Sequence, residues 1–138
     1  MQTIIVDGSN VVRGMYQVEQ HPDYNREISL ADVLIDYLQS LNTDASRIIE
    51  VYFDGCKRYI SRPQGVQVFF SAYKKADDLI VNAVYDYRTE YNNDVLLVTS
   101  DNALISRSRQ YGANVQYTYD FLRNLEQFFH YTAQQGEN

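Results

Sequence analysis

Acidic residues recur in this sequence where an apolar run stops or where a predicted helix begins. Carboxylates held a few ångströms apart repel one another, and some of them take up protons unless a cation lies between them. Mg²⁺ and Mn²⁺ remove that penalty because both ions prefer hard oxygen ligands. Such an ion lowers the pKa of a bound water, and two ions ~3.5–4 Å apart clamp both sides of an in-line phosphoryl displacement. The acids are Asp7, Asp54, Asp77, Asp78 and Asp101.

Residues 4–10, with the sequence IIVDGSN, form the stretch around which the other motifs are arranged. The β-branched run before Asp7 is typical of a strand that is buried on both faces. Gly8 allows a sharp turn, and the polar Ser9 and Asn10 follow it. A carboxylate at the carboxyl end of a buried strand lies where open α/β sheets bind ligands. Asp7 is therefore the predicted centre of an acidic cluster.

Short apolar runs alternate with helical periodicity along the rest of the chain, which predicts an α/β fold. Four further strands are predicted, at 47–53, 66–70, 95–99 and 113–117. Helices are predicted over about 29–42 with Ser29 as N-cap, from Ala76 onward, over 103–111 with Gly112 as the helix stop, and over 120–131. Residues 11–28 are interpreted as an irregular segment or a short helix beside the site. Right-handed crossovers place all strand carboxyl ends at one sheet edge, so the separate acids are expected to converge there.

Each acid also has an ordinary structural explanation. An aspartate at the start of a helix most often caps it, which applies to Asp78 and Asp101. The dipeptide Asp54-Gly55 is common in turns. The joint occurrence of the acids, rather than any one of them, indicates a site.

The length, composition and net charge of the chain limit the class of protein to which it can belong. A chain of 138 residues with 45% hydrophobic residues fits one domain, predicted over 1–138. The single cysteine, Cys56, excludes an internal disulfide and fits a reducing cytoplasm. Neither a leader nor an apolar stretch of ~20 residues is present, so we expect a cytoplasmic protein without membrane contact. A net charge of −6 argues against a general nucleic-acid coat, but it permits an enzyme with a local basic rim.

Cations and tyrosines near the acids have two interpretations. They are ordinary solvated surface, or they form a rim that contacts phosphates and stacks on unpaired bases. The cations are Arg13, Lys57, Arg58, Arg62, Lys74, Lys75, Arg107 and Arg109, and the tyrosines are Tyr16, Tyr59 and Tyr73. A partner such as a ribosome could supply the positioning that an acidic protein lacks. The two histidines, His21 and His130, suggest neither a zinc site nor a necessary base.

Four ordered motifs carry a resemblance to a known family. They are Val6-Asp7-Gly8-Ser9-Asn10, Tyr52-Phe53-Asp54-Gly55, Ala76-Asp77-Asp78 and Thr99-Ser100-Asp101-Asn102. In this order they resemble the NYN family of PIN-like ribonucleases, and its YacP-type branch above all. The resemblance covers about residues 4–125. It implies a three-layer, Rossmann-like (PIN-like) parallel sheet of about five strands with helices on both faces.

The resemblance also implies a metal-dependent endoribonuclease that hydrolyses single-stranded RNA with Mg²⁺ or Mn²⁺. On this mapping Asp7, Asp77 and Asp101 are the catalytic, metal-binding acids, and Asn10 is the amide that orients ligand or metal-bound water. Asp78 is a further candidate ligand. Candidate substrate contacts are Ser9, Asp54, Lys57, Arg58, Lys74, Ser100, Asn102 and Arg107.

Two other functions compete with the ribonuclease. The first is a catalytically weak or inactive RNA- or protein-binding module, which the low basic content favours, as does Val81 where the family pattern often has Glu. The second is a phosphoryl-transfer protein with Asp7 or Asp54 as acceptor, which ranks last because the usual paired acids and lysine are not found. The first strand is not followed by the glycine-rich fingerprint of dinucleotide-binding proteins.

Overall fold

Five strands and five helices make up the described part of the chain, for which a computed structural model gives residues 1–19, 24–42, 46–57 and 64–136. The strands are β1 (Gln2–Asp7), β2 (Arg47–Phe53), β3 (Gln67–Phe70), β4 (Asp94–Val98) and β5 (Asn114–Gln116). The helices are α1 (Gly8–Glu19), α2 (Tyr24–Ser40), α3 (Ala76–Thr89), α4 (Asn102–Arg109) and α5 (Thr118–Gly136).

The strands form one fully parallel sheet in the order β3-β2-β1-β4-β5. Strand β1 is central: its last residue, Asp7, pairs with Tyr52 of β2, and Val6 pairs with Val98 of β4. Because every strand runs the same way, the carboxyl ends of β1, β2 and β4 share one edge, hereafter the carboxyl edge. The predicted α/β class with about five parallel strands is confirmed.

Both faces of the sheet are covered by helices, and alternate residues of β1 supply the two cores. Ile4 and Val6 pack with apolar side chains of α1, α2 and α5. Ile5 points to the other face, where it packs with residues of α3 and with Leu104 of α4. All three β1 side chains are 5% exposed or less, as expected for a strand buried on both faces. Among the described residues, no helix combines the length and apolarity that a membrane span requires.

The interpretation of residues 11–28 as irregular or briefly helical is wrong for most of that segment. Helix α1 begins directly after Asp7, and α2 begins at Tyr24, five residues before the predicted cap Ser29. The signal for α1 was present, since Val11, Val12 and Met15 form a buried stripe at helical spacing. Residues 20–23 of this segment lie outside the described residues.

Gly8 serves close packing rather than an unusual turn. A Cβ atom at this position would lie 2.6 Å from Cε1 of Phe53 and 2.8 Å from Cγ2 of Val51, both on β2. The left-handed conformation is found instead at Gly112, which has a φ of 92° and follows α4 as the predicted helix stop. Gly8 therefore allows α1 to start against the sheet with no residue between strand and helix.

The substitution Gly8→Ala is expected to destabilise the protein by about 1–3 kcal/mol, because the new methyl group overpacks a buried contact with Phe53 and Val51. Gly14→Ala is the comparison variant, since there the nearest atoms lie farther away, at 3.1 and 3.2 Å, and alanine favours the helix. Urea unfolding of the two variants tests this. Equal midpoints would contradict the packing argument.

Candidate active site

Four aspartates from different parts of the chain meet at the carboxyl edge. Asp7 ends β1, Asp54 follows β2, Asp101 follows β4, and Asp77 lies in the first turn of α3. Burial is the largest cause that raises the pKa of Asp7 and of Asp77, and neighbouring charges add to it, those of Asp77 and Asp54 at Asp7 and those of Asp101 and Asp54 at Asp77. The carboxylates therefore lie close enough to act on one another, as the strand order requires.

Asp7 is the buried member of this cluster, with 4% of its surface exposed. Burial is the main reason why its pKa is raised, from 3.8 to about 6. Two hydrogen bonds oppose the shift: Oδ1 accepts from the backbone N–H of Asn10 at 3.3 Å, and Oδ2 accepts from Oγ1 of Thr99 at 2.9 Å. Ionised Asp7 is thus hydrogen-bonded but has no cationic partner among the described residues.

Thr99 connects Asp7 to the next acid. Its Oγ1 donates to Asp7 and accepts from the backbone N–H of Asp101 at 3.1 Å. Oδ1 of Asp101 accepts from the N–H groups of Ala103 and Leu104 at 2.9 and 3.1 Å, so Asp101 caps α4. The capping explanation is correct for one oxygen of Asp101, and no hydrogen bond among the described residues uses the other.

Asn10 joins three elements at the edge of the site. Its Oδ1 accepts from the backbone N–H of Ser100 at 3.0 Å and from Oγ1 of Thr118 at 2.6 Å. Oγ of Ser100 in turn accepts from the backbone N–H of Thr118 at 3.0 Å. The oxygen atoms of Asn10 and Ser100 therefore hold α1, the β4–α4 connection and α5 together, while no hydrogen bond among the described residues uses the amide nitrogen of Asn10.

Asp54 and Ser9 also have structural contacts. Oγ of Ser9 accepts from the backbone N–H of Asp54 at 2.8 Å, and Oδ1 of Asp54 accepts from the backbone N–H of Ala76 at 3.0 Å. Gly55 has a φ of 89°, so the turn explanation is correct as well. Through these bonds Asp54 fixes the start of α3 and with it the position of Asp77.

Asp78 and Arg107 form an ion pair with each other at 2.9 Å. Asp78 was predicted as a metal ligand and Arg107 as a phosphate contact. The two charges offset each other and the pair links α3 to α4 beside Asp77, and both roles stay predictions. The charge of Arg107 also lowers the pKa of Asp77. Val81 is 7% exposed and belongs to the core beneath α3.

Three of the predicted cations, Lys57, Lys74 and Lys75, lie on two loops that are bonded to each other. The backbone N–H of Gly55 donates to Oγ of Ser71 at 3.1 Å, and that of Ala72 donates to the carbonyl of Gly55 at 2.8 Å. Ala72 has a φ of 56°, in the left-handed region. We call this unit the basic loops; its exposed members are Lys57, Tyr73, Lys74 and Lys75. The predicted contact Arg58, with Tyr59 and Arg62, lies outside the described residues, and Asn102 is exposed at the start of α4.

An open cleft of about 570 Å³ lies on the other side of Asp101, between α1 and α5. Thr118 and Tyr119 line it, together with Arg13. Thr99, Thr118 and Tyr119 were not among the predicted site residues. Thr118 lies shortly after the carboxyl end of β5. Because the carboxyl ends of all parallel strands share one edge, the same reasoning that predicted the acids also predicts Thr118 at this edge.

The donor set fits Mg²⁺ or Mn²⁺ in part. Within the described ranges, no three His, Cys, Asp or Glu side chains are grouped so as to hold one ion. Mg²⁺ does not require such a group, because it keeps several waters and takes one or two carboxylates together with substrate phosphates. Asp7, Asp77 and Asp101 offer carboxylate oxygens for that smaller requirement, since the charge of Asp77 acts on Asp7 and the charge of Asp101 acts on Asp77.

Known proteins are similar to this chain in sequence and in fold. The sequence profile described as "YacP-like NYN domain" matches residues 4–137, which confirms the resemblance found in the motifs. The crystal structure of Rae1 (YacP) from Bacillus subtilis is 21% identical with a TM-score of 0.73, over 99% of this chain and 80% of that one. Its W164L mutant is 21% identical with a TM-score of 0.74, over 97% and 80%. No curated protein sequence matches significantly. The family match supports a nuclease-type, RNA-related function, and the two structures confirm the fold.

In metal-free buffer, Asp7→Asn is expected to stabilise the protein at pH 7. The folded-state pKa of about 6 lies above the unfolded value of 3.8, so the folded protein retains a proton that the unfolded chain releases in this window. The free energy of unfolding therefore falls as pH rises from about 4 to 6, by up to roughly 3 kcal/mol. Asparagine avoids this loss, because its Oδ1 can accept from Asn10 while its Nδ2 donates to Thr99.

Denaturation with chelator at pH 4 and pH 7 measures this effect, with Asp36→Asn on the exposed side of α2 as the control. The advantage of Asp7→Asn over wild type should be present at pH 7 and absent at pH 4. An advantage that does not change with pH, or one shared by Asp36→Asn, would show that ionisation of Asp7 is not its source.

Proposed function

The chain belongs to the family of YacP-like NYN domains, and we propose that it is a divalent-metal-dependent endoribonuclease acting on single-stranded RNA. The observation that carries the proposal is the buried Asp7 with like-charged neighbours and no cationic partner in the described ranges. Such a carboxylate is costly for a purely structural role, but it is suited to holding a hydrated cation.

Asp7, Asp77 and Asp101 are the residues that would hold Mg²⁺ or Mn²⁺, in part through water. The bound ion supplies an activated water and offsets charge on the phosphate. The protein's own part is positional. Thr99 keeps Asp101 at a set distance from Asp7 through its two hydrogen bonds. Asp54 fixes the position of Asp77, because its Oδ1 accepts a hydrogen bond from Ala76, the first residue of α3.

Asn10 is placed to orient the reacting group. Its amide oxygen is held by Ser100 and Thr118, so its amide nitrogen has a fixed direction and can donate to a phosphate oxygen or to a water. A donor that is already oriented loses little freedom in the reaction. No histidine is required as a base, because the metal-activated water needs none.

The RNA backbone requires cations beside the acidic centre, and the basic loops provide them. Lys57, Lys74 and Lys75 are exposed beside Asp54, with the fully exposed Tyr73 between them in sequence. A few phosphate contacts give weak, salt-dependent binding. Because the chain as a whole has a charge of −6, we propose a cytoplasmic role in which a larger RNA assembly such as the ribosome presents the substrate.

The second candidate is an RNA-binding module without catalysis. Two observations favour it: Val81 is buried in the core, and the described acids form no three-ligand group. A module of this kind would bind RNA through the same basic loops, but RNA binding alone does not use the buried carboxylate of Asp7.

With Mn²⁺ and a labelled single-stranded RNA, the wild type is expected to cleave, and chelator is expected to abolish cleavage. Asp7→Asn and Asp101→Asn should each lower the rate at least ~100-fold, since several kcal/mol of metal stabilisation are lost. Asp101→Asn is a clean test because asparagine keeps the capping oxygen for α4.

Asp36→Asn, on α2, serves as the surface control and should cleave at the wild-type rate. Cleavage that survives chelation, or that falls equally in the control, contradicts the metal site. RNA binding by the wild type without any cleavage would identify the second candidate.

A further inference from the structure

The cleft between α1 and α5 is separate from the basic loops and opens beside Asp101. Its volume of about 570 Å³ falls within the roughly 300–1,000 Å³ of small-molecule sites. Asn10 and Ser100 line the end near the acids, and Leu122 gives an apolar surface at the α5 side. The cleft thus combines a polar end at the reactive edge with a less polar interior.

Gly14 determines how closely the two helices approach at the base of the cleft. A Cβ atom there would lie 3.1 Å from Cδ1 of Leu122 and 3.2 Å from Cγ2 of Thr118. Thr118 is itself buried and bonded to Asn10 and Ser100. The wall formed by the first turn of α5 is therefore fixed relative to the acidic cluster.

Tyr119 presents a ring on that wall, with 71% of its surface exposed. The guanidinium carbon of Arg123 lies 5.9 Å from the ring centroid, which limits the orientations of the ring. A large aromatic ring exposed to this extent, next to a cavity and on a fixed turn, offers a face for stacking. Base stacking on such a ring needs no particular base.

Arg13 provides a positive charge on the opposite wall. Its Nε donates to the carbonyl of Ser9 at 3.3 Å, which directs the guanidinium along α1, and no hydrogen bond among the described residues uses its two terminal nitrogens. Within the described part of the chain it makes no ion pair. A guanidinium with two unused nitrogens suits a phosphate, which it can bind through both.

We propose that this cleft holds one unpaired nucleotide of the RNA substrate, with its base stacked on Tyr119 and its phosphate bound by Arg13. The inference rests on the proposed function, because it takes the acidic centre to be where the backbone is cut. It assigns the cleft to the nucleotide next to that position and the basic loops to the chain on the other side. The substrate would then span the acids from one side to the other.

The test measures binding of a fluorescein-labelled single-stranded RNA by anisotropy, with every protein carrying Asp7→Asn to prevent cleavage. Tyr119→Ala should weaken binding about 5- to 100-fold, whereas Tyr119→Phe should stay within about 2-fold of the parent. Tyr91→Ala is the matched control, since Tyr91 is 64% exposed at the far end of α3. Arg13→Gln should weaken binding and reduce the salt dependence by about one phosphate contact.

An abasic residue moved along the RNA identifies the stacked base. At one position, the abasic RNA should bind the parent protein as weakly as intact RNA binds Tyr119→Ala, and the two changes together should cause no further loss. The inference is overturned if no position shows this non-additivity, or if Tyr119→Ala binds no worse than Tyr91→Ala.

Failure of this inference can be distinguished from failure of the nuclease proposal. Metal-dependent cleavage with unchanged KM in Tyr119→Ala would overturn the cleft assignment and leave the nuclease intact. Tyr119-dependent binding by a protein that never cleaves RNA would support the cleft and overturn the nuclease.

Discussion

The cost of ionising one buried carboxylate is the constraint on which the site depends. Asp7 terminates the central strand between two neighbours, so its burial follows from the strand order and not from a local loop. Its pKa is raised mainly by that burial, and the charges of Asp77 and Asp54 add to the effect. A sheet that needed only stability would place an apolar or neutral residue here. The cost is understandable if the carboxylate is used for a charged ligand.

Most of the polar atoms around Asp7 form hydrogen bonds that hold the scaffold together. Thr99 links two acids, Asp54 anchors a helix, and the oxygen of Asn10 joins α1 to α5. Each of these residues was a candidate for direct chemistry or lay next to one in sequence. Asp101 shows that the two oxygens of one carboxylate can differ in role. Its Oδ1 caps α4, while its other oxygen has no hydrogen-bond partner among the described residues.

The sequence was sufficient for the architecture because apolar runs and turn residues act locally. The five strands, the stop at Gly112 and the convergence of the acids all follow from period, β-branching and the geometry of parallel sheets. For α1 the sequence carried opposing signals: Val11, Val12 and Met15 have helical spacing, whereas Gly14 in mid-helix and the two adjacent valines lower helix propensity, a preference that tertiary packing overrides. The sequence could not reveal that Asp78 and Arg107, far apart in the chain, pair with each other. Contacts of that kind depend on how α3 and α4 pack.

If an acidic protein is to bind RNA, the cations that attract the phosphates must lie apart from the carboxylates that repel them. Here the acids occupy the middle of the carboxyl edge, the lysines of the basic loops lie on one side, and Arg13 with Tyr119 lies on the other. Because the loops are bonded to each other and Thr118 is bonded to Asn10, both sides are fixed relative to the centre. A polyanion would therefore meet cations at both flanks and the negative centre only where its backbone crosses it. That crossing is where a divalent cation, shared between carboxylates and phosphate, would offset both charges at once.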